Sequence, residues 1–239
     1  MRVLVVTAVT AEADSVAAGL CPDGTVTLHR IPGDHALRRC TGAGTTVDVL
    51  AGGVGPAAAA AATATALTAA AVAPGAPAYD LVVSAGIGGG FAGVAPLGAL
   101  VVADAIVAAD LGAQTPDGHL PVEELGFGRS VRPAAALSER IAEALDAVHG
   151  PVLTVSTVTG TAARAAELTA RHPRAAVEAM EGFGVAEAAA SHGVPVAEIR
   201  AVSNAVGPRD RAAWRIGEAL DALRNAFRLL SPVLEEEAR

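Results

Sequence analysis

The chain has 239 residues, of which 52% are hydrophobic and 18% are charged, as is typical of one compact globular domain. Its formal net charge of −8 argues against electrostatic binding to nucleic acid or to an anionic membrane. Aromatic residues make up only 3%, too few for platforms that stack on single-stranded bases. We therefore expect a small-molecule partner, with no nucleic acid and no membrane.

The sequence lacks the residues or motifs that several classes of chemistry require. All 17 basic residues are arginine, a bias that a GC-rich genome explains, so Schiff-base catalysis and lysine-dependent phosphate loops are excluded. Cys21 and Cys40 form no CxxC pair and the six histidines are scattered, so we predict no metal and no cofactor. Glu12 and Asp14 interrupt the apolar N-terminus too early for a signal peptide. We expect a cytoplasmic protein.

Short apolar runs, typical of buried strands, alternate with helical patterns along almost the whole chain. The predicted strands cover residues 3–9, 46–55, 80–90, 98–110, 151–160, 175–180 and 194–204. This alternation predicts an α/β fold, with a mixed, mostly parallel central sheet in a three-layer α/β/α domain that spans residues 1–239. No helix separates the third and fourth strands, which allows the sheet to curl toward a barrel.

Helical patterns follow most of these strands. Pro56 occupies the first position of an Ala-rich helix, and further helices are predicted over about 134–148, over 161–172 and from Glu181. A Gly/Pro-rich excursion covers residues 112–133. The closing helix has Asp210 as its predicted N-cap and an apolar stripe at 3–4 residue spacing. That stripe consists of Trp214, Leu220, Leu223, Phe227 and Leu230.

Three polar residues follow strands where ligands of α/β sheets bind, outside the carboxyl ends. They are Glu12, Glu181 and Asn204. Each has an ordinary explanation, since Glu12 suits the first turn of a helix and Asn204 suits a turn. Met180, beside Glu181, would equally fill a gap in the core. At the ends of three strands of one sheet, they nevertheless indicate a candidate site.

Glycine loops end other strands. Residues 53–58 fit the GxGxxA form of a dinucleotide-binding loop, which keeps an oxidoreductase open as a lesser alternative. Pro56 argues against it, because proline removes an N–H from the helix start that would hold the pyrophosphate. Asp80 opens the next strand, where the dinucleotide motif requires an acidic residue at the strand's end. We expect these loops to let the backbone approach a sugar-sized ligand closely.

The order of these motifs resembles a known superfamily over essentially the whole chain. Glu12, "GGVGPAAAA", "SAGIGGG", "AMEGFGVA" and "IRAVSN" occur in the order seen in nucleoside phosphorylases and nucleosidases. The chain resembles the hydrolytic branch typified by methylthioadenosine/S-adenosylhomocysteine nucleosidase. Within that branch, "STVTGT", "EAMEGFGVA" and "VSNAVGPRDRAAW" are most similar to the futalosine hydrolases of menaquinone biosynthesis.

The resemblance implies roles at the sugar. Met180 would pack on the ribose, and Glu181 would accept hydrogen bonds from its hydroxyls. Glu12 would activate the water that attacks C1′ through an oxocarbenium-like state. No arginine lies in "TAVTAE", "GGVG" or "SAGIGGG" to bind phosphate, which favours hydrolysis over phosphorolysis. Ala85 and Gly86, in the second glycine loop, are also assigned to substrate binding.

The resemblance also implies roles at the base. Adenine-specific relatives carry an aspartate after the serine, whereas this chain has Asn204 after Ser203. An amide can donate to a 6-oxo group while its carbonyl accepts from N7–H, so Asn204 predicts hypoxanthine as the leaving group. Val158 and Thr159 fall where relatives stack on the base and bond it through the backbone. Phe183 would line the same pocket or belong to the core.

Some assignments stay open. Futalosine carries a benzoate on its 5′ side, which Arg209 or Arg211 could bind, although either could equally be a solvated loop residue. Alternative functions are another purine nucleosidase, a 6-oxopurine nucleoside phosphorylase or a non-catalytic nucleoside-binding module. The family resemblance implies a homodimer or a larger homo-oligomer.

Overall fold

One large mixed sheet forms the centre of the fold. The computed structural model describes residues 1–22, 24–42 and 44–237. The strands are β1 (Arg2–Thr7), β2 (Thr27–Ile31), β3 (His35–Thr41), β4 (Thr46–Ala51), β5 (Leu81–Gly90), β6 (Leu100–Ala108), β7 (Gly112–Thr115), β8 (Gly118–Pro121), β9 (Val131–Pro133), β10 (Val148–Thr154), β11 (Val177–Ala179) and β12 (Val196–Ala205). The α-helices are α1 (Thr10–Leu20), α2 (Pro56–Val72), α3 (Leu137–Leu145), α4 (Ala162–Arg171), α5 (Gly182–Ser191) and α6 (Ile216–Glu237).

The sheet contains two groups of strands that run in opposite directions. Its order is β11-β10-β6-β12-β5-β1-β4-β3-β2, with β9 beside β6. Strands β4, β1, β5 and β12 are mutually parallel, while β6, β10 and β11 run the other way. Strand β11 also pairs with β5, so that β5, β12, β6, β10 and β11 close into a ring. The predicted mixed sheet is confirmed, including its curl toward a barrel.

Helices cover both faces of the sheet because its central strands are apolar on both sides. In β1, Leu4 and Val6 pack in a cluster with residues of α2 and α5. The alternate residues, Val3 and Val5, pack in a second cluster with residues of α1, α3 and α6. Since side chains alternate across a strand, a continuous apolar run supplies both layers. The predicted three-layer α/β/α arrangement is confirmed.

Three features of the β structure were not predicted. The hairpin β2–β3 has no continuous apolar run, because β2 lies at the edge of the sheet and carries the exposed residues His29 and Arg30. Residues 112–133 contain the small hairpin β7–β8 and the strand β9. Strand β10 begins at Val148 and ends at Thr154, so residues 155–160 form a loop where a strand was predicted.

The closing helix starts later than its sequence indicates. The Asp210 side chain accepts a hydrogen bond from the Ala212 amide at 3.1 Å and caps a short 3₁₀ turn, so the prediction that Asp210 caps α6 was wrong. The Arg215 amide donates to the Ser203 carbonyl at 2.8 Å, which holds the chain against β12 before α6 begins at Ile216. No helix in the described ranges is long and apolar enough to span a bilayer.

A glycine in α5 brings this helix against the start of α2. A Cβ at Gly184 would overlap the Pro56 carbonyl oxygen and lie 2.7 Å from its carbon. We expect Gly184→Ala to lower the free energy of unfolding by about 1–3 kcal/mol or more, because backbone cannot yield as a side chain can. Gly217→Ala in α6, where a Cβ meets open space, should change it by less than about 1 kcal/mol. Urea denaturation of both variants measures the difference, and equal effects would contradict this packing.

Candidate active site

A cavity of about 260 Å³ lies where the carboxyl ends of β1, β5, β11 and β12 meet. This convergence is possible because β11 closes the ring of strands against the far end of β5. Eight of the residues predicted for the site line this cavity. They are Glu12, Val158, Thr159, Met180, Glu181, Ser203, Asn204 and Arg209.

Glu12 combines a structural role with a place in the cavity. Its Oε2 accepts hydrogen bonds from the amides of Ala8 (3.0 Å) and Val9 (3.2 Å), which is the glutamate half of a helix capping box, since the Val9 side chain cannot accept in return. Its Oε1 accepts from the amide of Ile87 at 2.9 Å. The side chain is buried, yet it lines the cavity. Three backbone donors therefore fix the carboxylate in one orientation.

The "SAGIGGG" strand contributes different residues from those predicted. Ala85 is buried in the core and Gly86 does not line the cavity, whereas Ile87, Gly88 and Gly89 do. Strand β5 continues to Gly90, so these later residues reach the site. A Cβ at Gly86 would lie 2.6 Å from Glu12 Oε1 and 2.8 Å from Arg200 Nη1. Gly86 thus lets a carboxylate and a guanidinium approach the strand and each other.

Glu181 is the N-cap residue of α5 and is held from two sides. Its Oε1 accepts from the Gly55 amide at 3.2 Å, and its Oε2 accepts from Arg200 Nη1 at 3.2 Å. Gly55 has a φ of +91°, a conformation that favours glycine. The "GGVG" loop therefore orients this carboxylate. Met180, half-buried, lines the cavity beside it.

Arg200, which our sequence analysis did not select, lies under the site. Its Nε donates to Glu198 Oε1 at 2.9 Å and its Nη2 to Ser84 Oγ at 3.1 Å, in addition to the Glu181 bond. Burial alone would lower the pKa of Arg200, but the charges of Glu198, Glu181 and Glu12 outweigh it and raise the pKa. Burial raises the pKa of Glu198, against the opposing charge of Arg200. The sequence did contain a signal for this role, because Glu198 and Arg200 are two charged residues two positions apart inside an otherwise apolar strand.

The base-binding candidates Ser203 and Asn204 lie at the end of β12. The Ser203 hydroxyl is 2.8 Å from Asn204 Oδ1 and 3.2 Å from the Gly88 carbonyl oxygen. Asn204 Nδ2 donates to the Ala205 carbonyl at 3.1 Å. A side-chain amide has two N–H donors, so one remains for a ligand.

A third carboxylate, Glu178, which we had not predicted, lines the cavity near Thr159. Its Oε1 accepts from the Thr159 amide at 2.8 Å, and its Oε2 accepts from the Thr159 hydroxyl. Burial raises the pKa of Glu178, and the two Thr159 hydrogen bonds oppose that shift. The Thr159 amide, expected to bond the base directly, donates to this carboxylate in the structure.

The last three predicted site residues, Phe183, Arg209 and Arg211, occupy different places in the structure. Phe183 belongs to the core, and its amide donates to Thr154 Oγ1 at 2.9 Å. Arg209 lines the cavity together with Trp214, whereas Arg211 does not. Both guanidinium groups lie 5.8 Å from the centre of the Trp214 ring.

The sequence matches the family model of the Phosphorylase superfamily over residues 2–235. The chain belongs to this superfamily. Futalosine hydrolase from Streptomyces coelicolor is 63% identical, over 98% of this chain and 97% of that protein. Futalosine hydrolase from Acidothermus cellulolyticus is 48% identical, over 95% of this chain and 89% of that protein.

Solved structures share the fold at low identity. The 5′-methylthioadenosine/S-adenosylhomocysteine nucleosidase of Neisseria meningitidis, in complex with methylthio-immucillin-A, has a TM-score of 0.80 at 19% identity and covers 98% of this chain and 99% of its own. The corresponding nucleosidase of Colwellia psychrerythraea, in complex with adenine, has a TM-score of 0.79 at 22% identity, with 98% and 94% covered. The nucleoside phosphorylase-like fold is confirmed.

Proposed function

We propose that this protein hydrolyses the N-glycosidic bond of futalosine, releasing hypoxanthine and dehypoxanthinyl futalosine for menaquinone biosynthesis. The observation that carries the proposal is the convergence of Glu12, Glu181 and Asn204 on one cavity, in a chain 63% identical to a futalosine hydrolase. Glu12 acts on the attacking water, Glu181 on the ribose and Asn204 on the base.

Glu12 is oriented to activate water. An ionised carboxylate has about four lone-pair positions, of which three accept backbone amides here, so one is left for a water molecule. As the water oxygen bonds C1′, the bond from C1′ to N9 breaks and its electron pair moves into the purine. Glu12 takes one proton of the water and releases it to solvent, while N7 of the leaving base takes a proton from solvent, so that overall a hydroxyl group is added to C1′ and a hydrogen to the purine. Asn204 Oδ1 would accept the resulting N7–H.

Met180 and Glu181 suit the two surfaces of a ribose. A sugar has an apolar face, on which a thioether packs well, and a hydroxyl edge, which a carboxylate can accept. Arg200 and the Gly55 amide fix the Glu181 carboxylate before any ligand binds. Such preorganisation means that little of the binding energy is lost in ordering the side chain.

Hydrolysis fits the charges around the cavity better than phosphorolysis. Glu12, Glu178 and Glu181 all line it, and carboxylates repel a phosphate anion. Arg200, the nearest buried cation, already donates to Glu181, Glu198 and Ser84. A 6-oxopurine nucleoside phosphorylase is therefore the second candidate, and a requirement for phosphate would favour it.

The benzoate end of futalosine is assigned to Arg209, because it lines the cavity with Trp214. Arg211 contacts the same indole from outside the cavity and remains the alternative. The homo-oligomeric state and the cytoplasmic location stay predictions.

The role of Asn204 can be tested by replacing its side-chain amide with a carboxylate. We expect Asn204→Asp to reduce kcat/KM for futalosine by about 10²–10³, because a carboxylate would face the 6-oxo group without a donor. Turnover of aminodeoxyfutalosine, the 6-amino counterpart, should fall less or rise. Steady-state rates on the two substrates measure this change. An equal loss on both would contradict the assignment.

Substrate class is tested by hypoxanthine release from futalosine and from inosine, with adenine release from aminodeoxyfutalosine measured alongside. The proposal expects rapid release from futalosine and little from the other two. Fast cleavage of inosine would indicate a general purine nucleosidase. Binding of futalosine without any turnover would indicate a non-catalytic module instead.

A further inference from the structure

The two cysteines of the chain, which have no role in the proposed hydrolysis, are neighbours in the fold. Cys21 is the C-cap residue of α1, and Cys40 lies in β3. The carbonyl oxygen of Ala17 accepts the Cys21 amide at 2.9 Å and the Cys40 thiol at 3.8 Å. A second contact holds the same two elements together, since Arg38 of β3 pairs with Asp14 of α1 at 2.8 Å. One carbonyl group therefore brings together two cysteines that are far apart in sequence.

The two thiols are both free, and they differ in exposure. Cys40 is only 3% exposed, whereas Cys21 is half-buried. Burial, and after it the neighbouring Cys21 thiol, raises the pKa of Cys40 to about 12. Because the thiolate is the reactive form of cysteine, Cys40 by itself is a poor target for oxidants. A dissolved oxidant therefore meets Cys21 first.

We propose that Cys21 and Cys40 form a peroxide-reactive pair, in which Cys21 is oxidised first and Cys40 then closes a disulfide within the chain. The bond would join the end of α1 to β3, two elements that already pack together. In a reducing compartment such a disulfide is usually transient, and it protects the first cysteine from irreversible oxidation. The proposed hydrolysis uses neither thiol, so this chemistry is additional to it.

The reaction takes two steps and one molecule of hydrogen peroxide. First, the Cys21 thiolate attacks one oxygen of the peroxide, the O–O bond breaks, and the departing hydroxide takes up the proton that Cys21 had lost. Cys21 is then a sulfenic acid. Next, the Cys40 sulfur attacks the Cys21 sulfur, the S–O bond breaks, and the hydroxyl group leaves as water with the proton of Cys40. The two thiols have lost two hydrogens and two electrons, and the peroxide has become two molecules of water.

The first step prepares Cys40 for the second. As a thiolate, Cys21 opposes the ionisation of its neighbour through its negative charge. As a sulfenic acid, Cys21 is neutral and its sulfur is electrophilic, so this opposition ends where the attack is needed. The bond from the Cys40 thiol to the Ala17 carbonyl holds the second sulfur beside the first. The buried thiol thus has the position of a resolving cysteine.

The test is to treat the reduced protein with hydrogen peroxide, to unfold it, to alkylate the remaining thiols, and to measure the masses of the chain and of its peptides. Cleavage after arginine separates the two cysteines, because Arg30, Arg38 and Arg39 lie between them. We expect the wild type to lose two hydrogens per chain, to take up no alkyl group and to yield one linked pair of peptides. Dithiothreitol should restore both thiols.

Two variants show which thiol performs which step. In Cys21→Ser, the buried Cys40 should remain a thiol under the same treatment. In Cys40→Ala, Cys21 has no partner and should gain two oxygens as a sulfinic acid. Its yield should exceed that of the wild type by about tenfold or more, because an adjacent thiol intercepts the sulfenic acid.

Three outcomes would overturn the inference. They are equal yields of sulfinic acid in the wild type and in Cys40→Ala, a disulfide that joins two chains, and oxidation of Cys40 in Cys21→Ser as fast as in the wild type. All of these masses are measured without futalosine. The result for the cysteine pair therefore stands whether or not the protein cleaves that nucleoside.

Discussion

Glu12→Gln is expected to lower kcat for futalosine by about 10²–10⁴, the usual contribution of a positioned general base. The amide has nearly the same shape, but it cannot take the proton of the attacking water. Its NH₂ group would face the amides of Ala8 or Ile87, so we also expect a loss of about 1–3 kcal/mol in the free energy of unfolding. Single-turnover rates at saturating futalosine, together with thermal unfolding, separate the two effects.

The control for this variant is Asp14→Asn on the same helix. Asp14 is exposed and pairs with Arg38, outside the cavity. A surface ion pair of this kind contributes at most about 1 kcal/mol to the free energy of unfolding. Because Asp14 does not line the cavity, we expect the rate of Asp14→Asn to equal that of the wild type. A Glu12→Gln rate within about tenfold of the wild type would contradict the assignment of Glu12 as the base.

Arg200→Met should be the most destabilising single substitution at the site. It would leave Glu198 fully buried without its cation and would remove one of the two partners of Glu181. Breaking a buried ion pair from one side typically costs about 3–5 kcal/mol, because the remaining charge is not compensated. Urea denaturation, followed by circular dichroism, measures the change.

Two further variants test the cause of that loss. Arg215→Met removes an exposed arginine that pairs with Glu218, and it should cost about 1 kcal/mol or less. The double variant Glu198→Leu with Arg200→Met removes the stranded carboxylate and should recover part of the stability. Equal stability of the single and double variants would show that packing, rather than charge, dominates at Arg200.

The sequence predicted most of the strands and helices because each central strand is a continuous apolar run. Both faces of β1, for example, are buried, so its residues Val3 to Val6 are all apolar. The edge strand β2 escaped prediction because its side chains are largely exposed and polar. Asp210 was misassigned because a capping residue suits a 3₁₀ turn as well as an α-helix, and the sequence does not show that the chain becomes extended at Trp214 before α6 begins.

The residues at strand ends were predictable, while those that support them were not. Glu12, Glu181 and Asn204 stand out because polar residues follow apolar runs at positions where ligands bind. Arg200 and Glu178 lie inside strands, where the usual expectation is an apolar side chain. Arg200 has one partner, Glu198, two residues away, but the contacts that join these residues to the site are more distant in sequence. Glu178 meets Thr159 across helix α4, and Arg200 reaches Glu181 only after the ring of strands closes.

The most direct test of the proposed hydrolysis is the rate of hypoxanthine release from futalosine in phosphate-free buffer, measured again after addition of phosphate. The account predicts rapid release without phosphate and no acceleration when it is added, because the carboxylates lining the cavity position water and repel the anion. Release that occurs only with phosphate, together with a phosphorylated sugar product, would contradict hydrolysis and leave Glu12 without its role.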